Sequence, residues 1–185
     1  SRLAIFIKDL INRARLLYNE QKFQESLIIY RELMKTNPRC AELQNNTGVV
    51  YSAAGQSDIA CLYFFKALEI DPFFAYARNN LGNSLRKQNK IKEAMEQYRK
   101  ALDLKSDIWQ FYYNRSSAFY ETSRWEEGIT DALKGLEYSG NNYYIATLLG
   151  LLYSETGETD RAIEWFHKAI NIKPASFLPF LYAGK

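Results

Sequence analysis

Along the chain, short apolar clusters centred on a small residue return at a fixed interval. TGVVY at 47–51, LGNSL at 81–85, RSSAF at 115–119 and LGLLY at 149–153 each begin 34 residues after the last, and one step back lies RARLL at 13–17. Five units therefore tile residues 7–40, 41–74, 75–108, 109–142 and 143–176. A period of this length marks a supersecondary unit repeated along the chain. The eighth position of each unit is small (Ala14, Gly48, Gly82, Ser116, Gly150), and so is the twentieth (Ser26, Ala60, Ala94, Gly128, Ala162). The eleventh is bulky (Leu17, Tyr51, Leu85, Phe119, Tyr153), and the twenty-fourth is aromatic (Tyr30, Phe64, Tyr98, Phe166) except at Ala132. Small side chains let two helices approach closely, and large ones fill the space opened beside them.

Each unit is punctuated in its middle and at its end. Gly55 and Gly157 suit a left-handed helix C-terminus, and Asn89 tolerates the same conformation. Pro38, Pro72 and Pro174 stop the second helix of their units, and Ser106 and the Gly140-Asn141-Asn142 turn do so in the other two. The pattern predicts ten helices in five hairpins. One such hairpin cannot bury its apolar face alone, so neighbouring units must stack.

NNLGNSL followed by KEAMEQYRKAL in the third unit, and TLLGLLY followed by DRAIEWFHKAINIKP in the fifth, resemble the tetratricopeptide repeat family, and the resemblance spans residues 7–176. The first and fourth units depart most: Arg13 and Arg115 stand where the family carries Leu, Leu33 where it carries a small residue, and Ala132 where it carries an aromatic. The resemblance implies an all-α fold, an α-solenoid of helix-turn-helix hairpins wound into a right-handed superhelix with a concave wall, and treats 1–185 as a single domain of this kind. Residues 177–185, ending FLPFLYAGK, read as the start of a truncated sixth repeat or a capping helix docked on unit five. With Ser1 in place of Met, the expectation is a piece of a longer protein.

The resemblance also implies that the first helix of each hairpin faces the concavity. Its sixth positions are Asn12, Asn46, Asn80 and Asn114, then Leu148. A primary amide both donates and accepts, so it can pair with a peptide backbone whatever the side chains are. Helices packed about 8–10 Å apart would set such amides at roughly every third residue of an extended strand rising about 3.3 Å per residue. This row resembles the Asn ladder by which sugar-transferase and motor light-chain members hold extended segments. Asn45, Asn79 and Asn83 fall on neighbouring inward positions, and Arg86, Tyr113 and Tyr144 are further candidate peptide contacts, beside Lys8, Ile11, Arg15, Tyr18 and Val49. A competing reading remains at each class: the Asn amides can bond a neighbouring helix, and the Tyr rings can be shared packing. The family's clamp for the carboxylate tail of heat-shock chaperones is not expected, since units three to five place Asn79, Tyr144 and Leu148 where it needs cations.

Charge and composition narrow the partners. The net charge is +3 with basic and acidic residues interspersed, which argues against nucleic acid. No apolar stretch approaches the length of a membrane span, so a soluble, cytoplasmic protein is expected. Cys40 and Cys61 make no disulfide framework or zinc motif and read as ordinary thiols of a reducing compartment. His167 is the only histidine and stands without a nucleophile, and no phosphate-binding glycine loop occurs. The chain therefore reads as a non-catalytic scaffold that binds a protein or peptide, without cofactor or metal. A self-associating assembly module and the substrate-recognition region of a larger enzyme are the alternatives.

Overall fold

In all five hairpins the chain reverses through the same backbone device. A computed structural model describes residues 2–174, and among them are ten helices and no strand: α1 (Arg2–Asn19), α2 (Phe23–Thr36), α3 (Ala41–Ala53), α4 (Ser57–Ile70), α5 (Ala75–Lys87), α6 (Ile91–Leu104), α7 (Trp109–Glu121), α8 (Trp125–Ser139), α9 (Tyr143–Glu155) and α10 (Thr159–Ile172). Each odd-numbered helix ends in a residue of positive φ: Gln21 (60°), Gly55 (80°), Asn89 (60°), Ser123 (57°) and Gly157 (80°). The next residue's N–H then reaches back to the helix, as Lys22 N does to Leu17 O (2.8 Å) and Arg124 N to Phe119 O (2.9 Å). This double closure satisfies carbonyls that the helix end would leave orphaned. Gln21 and Ser123 adopt the left-handed conformation without being glycine, which is why the sequence marks only three of the five turns.

The second helix of a hairpin is held on the first by a ring lying against a missing side chain. A Cβ built on Gly48, Gly82 or Gly150 would sit 2.6, 2.7 or 2.5 Å from the ring of Phe64, Tyr98 or Phe166. All three rings are almost wholly buried. Tyr98 also needs a partner for its hydroxyl, which donates to Asn83 Oδ1 at 2.7 Å. The small twentieth position matters for the same reason from the other side: Ser26 donates to Ala14 O at 2.8 Å across the first hairpin, a contact possible only where two backbones nearly touch.

The fourth hairpin solves the same problem with other chemistry. Ala132 offers no ring, so the eighth position carries Ser116, whose hydroxyl donates to Gly128 O at 2.7 Å. Leu152 of α9 lies close over Gly128. Arg115 takes the place of the expected Leu and is matched by Asp131, to which it donates two hydrogen bonds of 2.6 and 2.8 Å. Asp131 is buried, so this pair joins α7 to α8 where the other hairpins use apolar packing. Asn142 caps α9, its Oδ1 accepting from the N–H groups of Tyr144 and Ile145.

The chain divides into two compact units between Leu104 and Lys105, α1–α6 in the first and α7–α10 in the second. Within each, successive hairpins stack, α2 on α3, α4 on α5 and α8 on α9, while α3 meets α5 and α7 meets α9. α1 begins at Arg2, ahead of the expected start of the first repeat. The expected sixth repeat or capping helix at 177–185 lies outside the described residues.

Two substitutions test these joints. Gly150→Val should lower unfolding stability by roughly 1–3 kcal/mol, because the branched side chain enters space held by the Phe166 ring. Combining it with Phe166→Ala should cost less than the sum of the single changes, measured by urea denaturation in a double-mutant cycle. Asp131→Ala should cost roughly 3 kcal/mol by leaving Arg115 half-buried without its carboxylate, whereas Arg115→Leu with Asp131→Leu should recover most of the loss.

Candidate functional site

The asparagines of the expected ladder fall into two kinds. Asn46, Asn80 and Asn114 are half-buried and Asn12 is exposed, whereas Asn45 and Asn79 are only 6% and 5% exposed. Asn45 and Asn79 are therefore packed within their unit instead of lining a solvent-facing wall. The reason is geometric: a fifth position on a 3.6-residue helix turns toward the neighbouring hairpin, where a polar side chain must find a partner.

That partner creates a directional relay. Asn80 on α5 donates from Nδ2 to Asn45 Oδ1 on α3 at 3.0 Å, and Asn45 Nδ2 donates to Asn46 Oδ1 at 3.3 Å. The relay ends on Asn46 Nδ2, which is buried and has no hydrogen-bond partner. Two more bonds tie the same helices together, from Lys87 Nζ to Ser52 O (3.1 Å) and to Ser52 Oγ (3.2 Å). Asn83, also a candidate, spends its acceptor on Tyr98. Arg86 is half-buried on the last turn of α5.

Asn46 is one of the residues lining a cavity of about 390 Å³, with Arg15, Tyr18 and Asn19 of α1, Tyr30 of α2, and Val49 and Val50 of α3. Arg15, Tyr18 and Val49 were expected on the concave wall; Asn19, Tyr30 and Val50 were not. Tyr30 is the aromatic of the first hairpin, 2% exposed, and burial pushes its hydroxyl pKa upward while the positive charge of Arg15 opposes that shift. Nothing in the residue pattern distinguishes this site, because it arises from the gap between α1 and α3 instead of from a motif.

The second unit presents a different surface. Tyr113 meets Trp109 edge-on at 6.3 Å and Tyr144 edge-on at 6.3 Å, and Tyr144 meets Tyr143 at 5.4 Å. Tyr144 is 54% exposed, so these rings pack on one another and still leave an aromatic face open. Asn114 shares α7 with Tyr113, and Leu148, where the amide row stops, is buried in the core of this unit. Tyr113 and Tyr144 are thus shared packing in this unit.

Candidate chemistry elsewhere is sparse. Cys61 is buried, accepts a hydrogen bond from Gln88 Nε2 at 3.3 Å, and burial raises its thiol pKa, the opposite of an activated nucleophile. Among the described residues no cluster of three or more His, Cys, Asp or Glu side chains could hold a metal, and no helix is long and apolar enough to cross a membrane.

Comparison with known proteins agrees with this architecture. Residues 82–123 match a TPR repeat model, and residues 63–96 and 143–176 match tetratricopeptide repeat models, together just over half of the chain. The chain is 20% identical over 93% of its length to anaphase-promoting complex subunit 3 of Schizosaccharomyces pombe, and 29% identical over 67% of its length to a STIP1 homolog of Dictyostelium discoideum. It spans only about a quarter of each relative, 26% and 22% of their lengths. The fold superimposes with a TM-score of 0.72 on YrrB, described as a TPR protein with an unusual peptide-binding site, at 20% identity and covering 95% of this chain and 91% of that one. The tetratricopeptide solenoid is a non-catalytic interaction fold, and the repeated small and aromatic positions, the five identical helix reversals and the three repeat matches together show that this chain belongs to the tetratricopeptide repeat family.

Proposed function

We propose that this chain is a non-catalytic scaffold that binds an extended peptide segment of a protein partner along α1, α3 and α5 of its first unit. The observation that carries the reading is Asn46: a buried amide donor with no partner at the end of a hydrogen-bonded relay, on a residue that lines a cavity. A buried unmatched donor costs about 1–3 kcal/mol, so an occupant that supplies an acceptor recovers that cost. Asn80 is a further contact in this reading, with Asn12 at the exposed end of the row, and Asn114 offers a like amide on the second unit. Tyr113 and Tyr144 offer amphipathic rings of the kind that anchor interfaces.

The role of Asn45 is support. Its amide accepts from Asn80 and donates to Asn46, so it sets which atom of Asn46 faces outward. Asn79 and Asn83 fall in the same supporting class, one buried and the other holding the Tyr98 hydroxyl. The partner and any larger activity belong to the longer proteins of which such arrays form part, and the similarity of the YrrB fold, with its stated peptide-binding site, favours a peptide over other ligands.

Selection of a phage-displayed random dodecapeptide library on the purified chain tests the proposal. Enriched peptides should lose about tenfold or more in affinity for the Asn12→Ala, Asn46→Ala double variant, the scale of two hydrogen bonds, as read by fluorescence anisotropy. The melting temperature should fall by only a few degrees. Failure of any peptide to enrich above an unrelated helical protein, or unchanged affinity in the variant, would overturn it.

A further inference from the structure

We infer that the outer face of α4 is a contact surface for a second copy of this chain, with the two α4 helices packed antiparallel about a two-fold axis at Leu62. Ala60, Phe64 and Ala67 form the buried side of α4, which packs on α3 and α5. On a helix of 3.6 residues per turn Ile59, Leu62 and Phe65 fall on the opposite side, and they are 38%, 60% and 49% exposed. The 34-residue period gives every second helix three equivalent places. α6 carries Glu93, Glu96 and Arg99 there, α10 carries Arg161, Glu164 and His167, and α2 and α8 each keep two polar residues of the three. Charges at these places are partnered on their own helix, Glu96 by Arg99 at 2.9 Å and Glu164 by Lys168 at 2.7 Å. Among the five second helices α4 alone is apolar at all three, and a contiguous apolar stripe turned to solvent marks an interaction site.

The order of residues along the stripe identifies what covers it. Counting outward from Leu62, Ile59 and Phe65 lie three residues away on either side, and the exposed Asp58 and Lys66 four residues away. A second α4 running the opposite way through the same centre therefore sets Leu62 against Leu62, Phe65 against Ile59 and Lys66 against Asp58. Apolar meets apolar, and acid meets base. A pattern that complements itself on reversal is what contact with an identical copy about a two-fold axis requires. Glu69, also exposed, comes beside the amino end of the other α4, where Gln56 makes no side-chain capping bond and a carboxylate is favoured. Asp58, Leu62, Phe65 and Glu69 follow the four-three-four spacing of a coiled-coil seam, so the two helices stay in register along their length. A helix of 14 residues is about 21 Å long. Such a face is small for a specific interface, so the dimer is weak, dissociating in the range of about 10–100 µM.

Sedimentation equilibrium of the purified chain, from about 1 to 500 µM, tests the contact. The average mass should climb from that of one chain toward that of two across the range. Leu62→Glu gives α4 the residue that α6 and α10 carry at this place, and should weaken association about tenfold or more by bringing two carboxylates together on the axis. The melting temperature should barely move, because Leu62 is exposed. Asp58→Lys and Lys66→Asp should each weaken the dimer by about tenfold through like charges. Combining the two, which exchanges acid and base, should restore it, as should mixing the two single variants. The contact is overturned if the chain stays monomeric at the highest concentration, which leaves the stripe to a helix of another protein. It is equally overturned if a dimer survives Leu62→Glu, which moves the association to another surface, or if the exchanged pair binds no more tightly than either single variant. The cavity that Asn46 lines includes no residue of α4, so peptide affinity should be the same in Leu62→Glu and the two proposals fail separately.

Discussion

A ring lying flat on a helix that lacks a side chain sets the distance between the two helices of a hairpin, and the rest of the structure is built on that distance. Where Gly48, Gly82 and Gly150 face Phe64, Tyr98 and Phe166, a single added carbon would force the ring aside. The contact has two consequences. It buries those three rings almost completely, and in the first and fourth hairpins, where Ala14 and Ser116 stand in the glycine's place, the backbones come close enough for the Ser26 and Ser116 hydroxyls to bond a carbonyl on the facing helix. Three of the five hairpins use this joint, the first sets Ala14 against Tyr30, and the fourth departs furthest: at Ala132 the ring is missing, and the eighth position is Ser116.

From the joint the route to the site is short. Close pairing within a hairpin fixes how the first helices stand beside one another, and where α3 meets α5 their amides are near enough to bond. Asn80, Asn45 and Asn46 form one line of donors and acceptors as a result. Toward α1 no such line is completed, and the Asn46 amide nitrogen is left without a partner. The same relay that packs Asn45 orients Asn46.

Much of this fold was legible in the residues, because a 34-residue period with fixed small and aromatic places leaves few ways to fold. The helix ends were partly legible: Gly55, Gly157 and Asn89 announce a left-handed residue, but Gln21 and Ser123 occupy it under the pull of the surrounding hairpin. The site was legible only as a row. That Asn45 and Asn79 turn inward, that Asn83 serves a tyrosine, and that Asn46 ends unpaired all depend on contacts between hairpins, and a residue's place within its repeat does not encode them. The pairing of Arg115 with Asp131 was hidden for the same reason, since only the arginine stands out as a departure.

That ion pair bears on how the array finds its register. In a chain of near-interchangeable hairpins, a first helix can dock on the wrong second helix with little loss of apolar contact, a common misassembly of repeat proteins. Asp131 occupies a place filled in the other units by Ile29, Tyr63, Gln97 or Trp165. Docked on any of those, α7 would strand a guanidinium against a neutral neighbour, and α8 would bury a carboxylate with no counterion. One charged couple thus disfavours docking α7 on any second helix but its own, and α8 on any first helix that lacks an arginine at this place.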